Sequence, residues 1–373
     1  MNTTHKHGNL YSFSFKVNNV EYGHHLKKVI IDKKVSTNNF VEDTYIFDDK
    51  ATKLINSVLS PVSITLTNNT SSSPTIIYKS EGYISQVKPG DDITVYYESN
   101  YKTDWFRKNG VSIAVEHKNI KDVLNEYIEK IDSFYKHKDK TKFNFNYTKN
   151  INKHIHENIV ISNLNNHFKN LKHLAKKYYL LDSPYYLFFD EYDFVDKSTN
   201  FSVNVYDLSN IKSLRASLFS ELKSTTRPLF QKAGVYYDGT IEYKINKLQQ
   251  FYDTTGTYSG INYTGKWDPK NRFQHTTVYG TIPDAQKRAK NVKEFYKKIN
   301  RYQSYKIDDI DITKFVIGNR FVDDESSAKI QYSQAIVDTK FTFESTGAQD
   351  AIKHQAKFIN NMKVKVDFVC VKS

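Results

Sequence analysis

Residues 9 to about 105 constrain the fold most, because they carry short runs of strand-forming residues separated by polar turns. Residues 10–17 alternate in part, and similar runs follow at 29–31, 44–47, 62–66, 75–78 and 93–97. Turn-like stretches lie at 18–19, 68–74 and 88–92. Short strands at regular intervals with polar turns predict a small β-barrel or β-sandwich. Residues 49–58 are predicted to add a short helix.

The middle of the chain changes to helical periodicity. Apolar residues over 120–135 recur at spacings of three and four, and Asn119 is a suitable N-cap for that helix. A second helix is predicted over about 163–180, stopped by Pro184. Strands follow at 185–189 and 200–206. Residues from about 110 to 215 are therefore predicted to form a small α+β domain inserted after the first barrel.

Strand patterns return towards the C-terminus. Residues 235–237, 241–245 and 276–279 read as strands, and a long helix is predicted over about 283–304. A capping box at 346–349 predicts another helix, and residues 363–368 alternate strictly, which predicts a strand with one buried face.

Composition excludes several classes of protein. The only cysteine is Cys370, so neither an internal disulfide nor a cysteine-based zinc site can form, which fits folding in a reducing cytoplasm. We expect no membrane span, because no apolar run approaches 18 residues, and no signal peptide, because residues 1–7 are polar. The net charge of +13 fits a polyanionic partner, or a general enrichment in Lys and Asn. The second explanation is favoured, because the basic residues are spread along the chain and most are Lys.

Acidic and histidine clusters are the first candidate sites. A run of carboxylates at 190–196 could bind a divalent cation or serve a nuclease, but a solvated turn between strands is the favoured interpretation. No third potential metal ligand lies at a sequence spacing typical of a metal site, so surface positions are favoured for the histidine pairs. The carboxylates are Asp190, Glu191, Asp193 and Asp196; the histidine pairs are His5 with His7, His24 with His25, and His154 with His156.

Three further features are candidate sites. Gly256, Gly260 and Gly265 do not match a phosphate-binding loop, because Lys266 precedes Trp267 rather than Ser or Thr. The basic face of the 283–304 helix could contact nucleic acid or an acidic protein, or simply face solvent. Cys370 is predicted to be a small buried side chain rather than a nucleophile. We therefore predict no catalytic residue, no metal site and no cofactor, and no enzymatic activity.

The order of these parts resembles the baseplate hub protein of contractile phage tails and the front portion of the VgrG-type spike of type VI secretion. Residues 115–124 look like the first helix of that family after its barrel. Residues 168–191 look like its helix and strand unit, and 349–356 with 363–371 look like the helix and strand that re-enter its second barrel.

The resemblance implies two similar β-barrels that flank an inserted α+β domain, in a ring of three subunits that adapts the spike to the tail tube. We accordingly predict an α+β, mainly β fold, with a first barrel at 1–110, the inserted domain at 111–215 and a second barrel-like domain at 216–373. The family has further strands after the last one, whereas this chain stops at Ser373. The second barrel is therefore expected to be incomplete, closed by another chain, or differently built.

The resulting hypothesis is a structural hub or adaptor of a phage tail baseplate, made in the host cytoplasm and located in the virion. Its expected partners are further copies of itself, the tail tube protein, the central spike and other baseplate proteins, with transient passage of DNA through the ring. Trp105 and Phe106 are the predicted interface residues. The alternatives are a nucleic-acid-binding protein or metal-dependent nuclease, and a β-rich receptor- or glycan-binding virion protein.

Overall fold

The computed structural model describes residues 10–34, 42–69, 73–100, 112–135, 144–147, 155–161, 163–167, 169–171, 174, 185–190, 202–207, 216–217, 231–236, 302–308, 311–322, 333–346 and 360–372. Within these ranges the fold is α+β and mainly β, as predicted. One α-helix, α1 (Ile120–Tyr135), has bounds within them, as do short 3₁₀ helices at Gly23–His25, Asp49–Asn56 and Ile312–Lys314.

The strands account for most of the described residues. They are β1 (Tyr11–Val17), β2 (Val20–Glu21), β3 (Leu26–Lys34), β4 (Glu42–Phe47), β5 (Pro61–Asn68), β6 (Thr75–Lys88), β7 (Ile93–Ser99), β8 (Ile113–Asn119), β9 (Asn144–Tyr147), β10 (Ile155–Ile161), β11 (Tyr185–Asp190), β12 (Ser202–Asp207), β13 (Ala216–Ser217), β14 (Gln231–Tyr236), β15 (Tyr302–Asp308), β16 (Arg320–Val322), β17 (Ser333–Ser345) and β18 (Met362–Lys372).

Eight strands close into a barrel, in the order β17-β3-β4-β7-β6-β5-β1-β18, with β18 pairing back onto β17. Five of the sequence-predicted strands of 9–105 become β1, β3, β4, β5 and β7, and the sixth begins β6, which continues to Lys88. The barrel also includes β17 and β18 from the C-terminal part of the chain, so residues 1–110 alone do not complete it. The boundaries of the predicted domains stay a prediction.

Aromatic side chains fill the interior of the barrel. The ring centroids of Phe13 and Phe343 lie 4.9 Å apart, and those of Phe15 and Phe47 lie 5.1 Å apart, all four side chains being fully buried. They alternate with neighbours that are mostly less buried, which is the period-two pattern of a strand. The barrel is thus a packed core and not a pore, as is usual for eight strands.

The segment around the last 3₁₀ helix packs into the same core. Phe315 packs edge-to-face against Phe368 with ring centroids 5.1 Å apart, and Ile312 and Ile317 are buried in the same core. The backbone N–H of Ile312 donates to the Tyr11 hydroxyl at 3.0 Å. Burial raises the pKa of the Tyr11 phenol, so this hydroxyl stays protonated while it accepts that bond.

The antiparallel pair β17 and β18, here called the ribbon, pairs with different strands along its length. The half of β17 from Asp338 to Glu344 pairs with β3 of the barrel, whereas its first residues pair with β16. The change of partner coincides with a register shift between Ile336 and Asp338. Residues Lys365 to Val371 of β18 pair with β15, which in turn pairs with β14. The ribbon therefore links the barrel to a second set of strands through unbroken backbone.

The middle of the chain forms smaller sheets. β8 pairs with β10, and β11, β12 and β9 form a three-stranded sheet. Helix α1 packs its buried residues Val123, Leu124 and Tyr127 beside β8. Asn119 caps it as predicted, its Oδ1 accepting from the N–H of Asp122 at 2.9 Å.

Two predicted boundaries were wrong. The resemblance placed 115–119 in a helix, but these residues lie in β8, and His117 has a φ of 50°, which a right-handed helix cannot include. The helix predicted over 283–304 does not reach its expected end, because Tyr302 to Ser304 pair with β18 as part of β15. The pairing of a distant strand decided that boundary, and the rest of the predicted helix lies outside the described residues.

Candidate functional site

The joint between β1 and β18, here called the seam, is where strands from the two ends of the chain meet. Tyr11 and Met362 are the register partners across it. Beyond that pair the side chain of Asn360 replaces the missing strand. Its Oδ1 accepts from the N–H of Phe13 at 3.0 Å, and its Nδ2 donates to the carbonyls of Phe13 at 3.4 Å and Gly23 at 2.6 Å.

Glu21 continues the seam along the same edge of β1. Its Oε1 accepts from the N–H of Phe15 at 2.9 Å and from that of Gly23 at 2.7 Å. Its Oε2 accepts from the Ser14 hydroxyl at 2.5 Å. The backbone N–H of Tyr22 donates to the carbonyl of Phe15 at 2.8 Å. Two side chains and this backbone bond therefore satisfy the groups at Phe13 and Phe15, which protects the edge against other chains.

The outer face of the ribbon carries charges that alternate from strand to strand. Asp32, Lys340, Asp367 and Lys306 are successive register partners across β3, β17, β18 and β15. The Lys306 Nζ lies 3.5 Å from an Asp367 carboxylate oxygen. Opposite charges directly across a strand pair stabilise one register. This row is balanced in sign, so the chain's net charge of +13 does not collect on it.

A second row of charges centres on Glu344. Its Oε1 lies 3.1 Å from the Lys28 Nζ and its Oε2 lies 2.8 Å from the Lys365 Nζ, so one carboxylate joins β3, β17 and β18. The hydrogen bond from Lys365, followed by that from Lys28, holds the pKa of Glu344 below its ordinary value.

Replacing Glu344 by Gln should lower the free energy of unfolding by about 0.5 kcal/mol near neutral pH, because the pairs are largely exposed. Since folding lowers the pKa of Glu344, its contribution is complete above the ordinary value of 4.5 and is lost as pH falls through the lowered pKa. Urea denaturation of both proteins between about pH 7 and about pH 3 measures the difference. Glu81→Gln, at an exposed position on β6, is the control. A difference that stays constant down to the acid end would contradict this assignment.

Exposed apolar side chains cluster around the turn before β5. Leu59 is 72% exposed and has a φ of 67°, a backbone conformation that residues other than glycine rarely adopt. Its N–H donates to the carbonyl of Ile84 at 2.9 Å, and Tyr83, also exposed, is the register partner of Pro61. With Val58, these residues form an exposed apolar surface of the kind that proteins use for contact.

The predicted acidic and histidine sites are mostly beyond the described part of the chain. Asp190 ends β11, while Glu191, Asp193 and Asp196 lie outside the described residues, as do His5, His7 and His154. His156 lies in β10. The Nδ1 of His25 lies 3.0 Å from a carboxylate oxygen of Asp48. The rings of His24 and His25 are in contact, with centroids 4.0 Å apart. Among the residues that the structure describes, no group of three or more potential ligands could hold a metal ion.

Some of the other predicted positions lie within the described residues and some lie outside them. Cys370 is buried on the face of β18 that it shares with Val364, Val366 and Phe368, as predicted. The interface candidates Trp105 and Phe106 lie outside the described residues, and so do the glycines of 256–265 and the basic face of the 283–304 helix. No helix in the described ranges is both long and apolar enough to cross a bilayer.

The sequence did not single out Asn360, Glu21 or Gly82. Gly82 interrupts the strand-like residues of β6, which is a usual signal of a close backbone approach. Nothing in the local pattern around Asn360 indicates that it bonds to β1, because that bond spans 347 positions of the chain. The Glu21 bonds to Ser14 and Phe15 are local, spanning seven and six positions.

Solved structures share this fold over nearly the whole chain. The tail protein of Neisseria meningitidis MC58 is 12% identical, with a TM-score of 0.56 over 97% of this chain and 96% of that one. The 43 kDa tail protein of prophage MuSo2 from Shewanella oneidensis is 10% identical, with a TM-score of 0.52 over 95% and 96%. A type VI secretion component of E. coli is also 10% identical, with a TM-score of 0.48 over 96% and 76%.

Comparisons by sequence give no such relation. No family model matches the chain, and a search of curated proteins finds no match. The identities to the solved structures are low, so it is the architecture that is shared. This chain has the fold of the two phage tail proteins.

Proposed function

We propose that this chain is a structural subunit of a phage tail or a related injection machine, with no catalytic role of its own. The observation that carries the proposal is the shared fold with two tail proteins over almost the full length of all three chains. A match from end to end is informative because it includes the middle sheets and the ribbon as well as the barrel. Fold alone does not fix function, so the role has to be tested on assembled particles.

Within that role, we propose that the chain is the hub adaptor of the baseplate, a ring of three copies between the tail tube and the central spike. The packed interior of the barrel supports this arrangement, because Phe13, Phe15 and Phe343 leave no channel through the barrel that the structure describes. Any passage for DNA would have to lie between copies. Closed rings also use the same surfaces on every subunit, which limits open-ended association.

The exposed apolar surface at the turn before β5 supports assembly. Leu59 and Val58 are exposed by 72% and 48%, and a monomeric protein would gain little from such a turn. A strained backbone with an apolar side chain held towards solvent is a frequent feature of contact sites. The ion pairs of the ribbon, by contrast, are satisfied within the subunit.

Two measurements on the full-length chain test the proposal. Mass spectrometry and antibody labelling of purified tails should find the chain in the particle, at the tip. Native mass spectrometry of the isolated chain should find a closed oligomer of three. Absence from purified tails would overturn the tail role, whereas a strictly monomeric chain at high concentration would overturn only the ring.

Binding measurements separate the alternatives. A nucleic-acid-binding protein would lose DNA steeply as salt is raised, and a nuclease would lose metal-dependent cleavage on Asp190→Ala. A glycan-binding protein would be detected on a glycan array. We expect the purified chain to give none of these results.

A further inference from the structure

The joints of the barrel differ greatly in the amount of backbone pairing. β1 pairs with β5 along its whole length, and the two strands of the ribbon pair from Gln334 to Ser345. Across the seam, Tyr11 and Met362 are the register partners in the described part of the chain, and the Asn360 side chain bonds to the backbone of Phe13. Breaking these bonds requires only side-chain rotation and a small strand displacement, whereas other joints must lose a ladder of backbone hydrogen bonds.

The seam also joins parts of the chain that are far apart in sequence. The bonds between Phe13 and Asn360 span 347 positions, and the bond between Tyr11 and Ile312 spans 301. The strand pairs β5–β6 and β6–β7, in contrast, are linked by short connections. Local pairings form early in folding, and pairings that close long loops form late because their entropic cost is higher.

We infer that the seam is the joint that closes the barrel, the last to form and the first to open. Asn360, here called the latch, is the side chain whose hydrogen bonds hold it closed. The inference does not depend on the proposed function. An open seam would expose the β1 edge at Tyr11 and Phe13 together with the start of β18. Exposed edges of this kind pair with other chains, so the latch protects the folded chain against aggregation.

Native-state hydrogen exchange of the full-length chain at low denaturant, with residue-level fragmentation, tests the inference. The amide of Phe13, which bonds to Asn360, should exchange at least about tenfold faster than that of Ser14, which is paired with Thr65 of β5. Its rate should also depend less on denaturant, because the opening exposes little surface. Equal rates with equal denaturant dependence would show that the barrel opens as one unit and would overturn the inference.

Variants of the latch give a second readout. In Asn360→Ala the ratio of the Phe13 rate to the Ser14 rate should rise further, and in Asn361→Ala it should stay at the wild-type value. A loss of global stability alone would speed the Ser14 amide and not the Phe13 amide, so the ratio would fall; a ratio that falls or stays unchanged would remove Asn360 from the role of latch. If Asn360→Ala does not fold, the wild-type comparison still decides whether the seam opens first.

Discussion

Gly82→Ala should lower the free energy of unfolding by about 3 kcal/mol or more, the largest effect expected of any single methyl group added to this barrel. Gly82 lies in β6 opposite Ser99 of β7. A Cβ at this position would stand 2.6 Å from the Ser99 Cα and 2.8 Å from Cε2 of Tyr97, and closer still to the carbonyl oxygen of Glu98. Two of these three contacts are with backbone, so no side-chain rotation relieves them, and the two strands would have to separate.

Gly90→Ala is the matched control, since it adds the same methyl group in the exposed turn between β6 and β7. Its Cβ would meet only the carbonyl oxygen of Asp92, at 3.3 Å, and the change should stay within about 0.5 kcal/mol. Urea denaturation of both variants at the same pH measures the difference. Similar midpoints for the two variants would show that β6 and β7 are not packed as closely as the structure has them.

Asn360→Ala should cost about 2–4 kcal/mol of stability, because it removes three hydrogen bonds and leaves buried groups without partners. The groups are the N–H and carbonyl of Phe13 and the carbonyl of Gly23. Water cannot easily replace the amide, since Asn360 is only 7% exposed. The loss should appear as a lower denaturation midpoint and as aggregation near that midpoint, when the edge of β1 is exposed.

Asn361→Ala separates this effect from a general weakening of the loop. The backbone carbonyl of Asn361 accepts from the N–H and the hydroxyl of Thr346 at 3.0 and 3.1 Å, and alanine retains it. Asn360→Asp provides a further comparison, because a carboxylate can still accept from Phe13 but cannot donate to Gly23. A variant at 360 as stable as the one at 361 would show that the seam does not need the amide.

The sequence alone determined the strands and the helix that arise from local residue patterns. The alternation of 363–368 became β18, the apolar stripe of 120–135 with Asn119 became α1, and most of the short runs of 10–97 became strands of one barrel. These patterns are readable because one buried face imposes a period of two on a strand and of about 3.6 on a helix. The mainly β class followed from them, and so did the burial of Cys370.

Only the tertiary structure decided which strands meet. It placed β17 and β18 between β3 and β1, put Tyr302 to Ser304 in a strand that pairs with β18, and gave Asn360 and Gly82 their roles. A strand's period says which face is buried but not which edge it pairs with, since every backbone presents the same donors and acceptors. That choice depends on contacts hundreds of residues apart, and no local pattern encodes them.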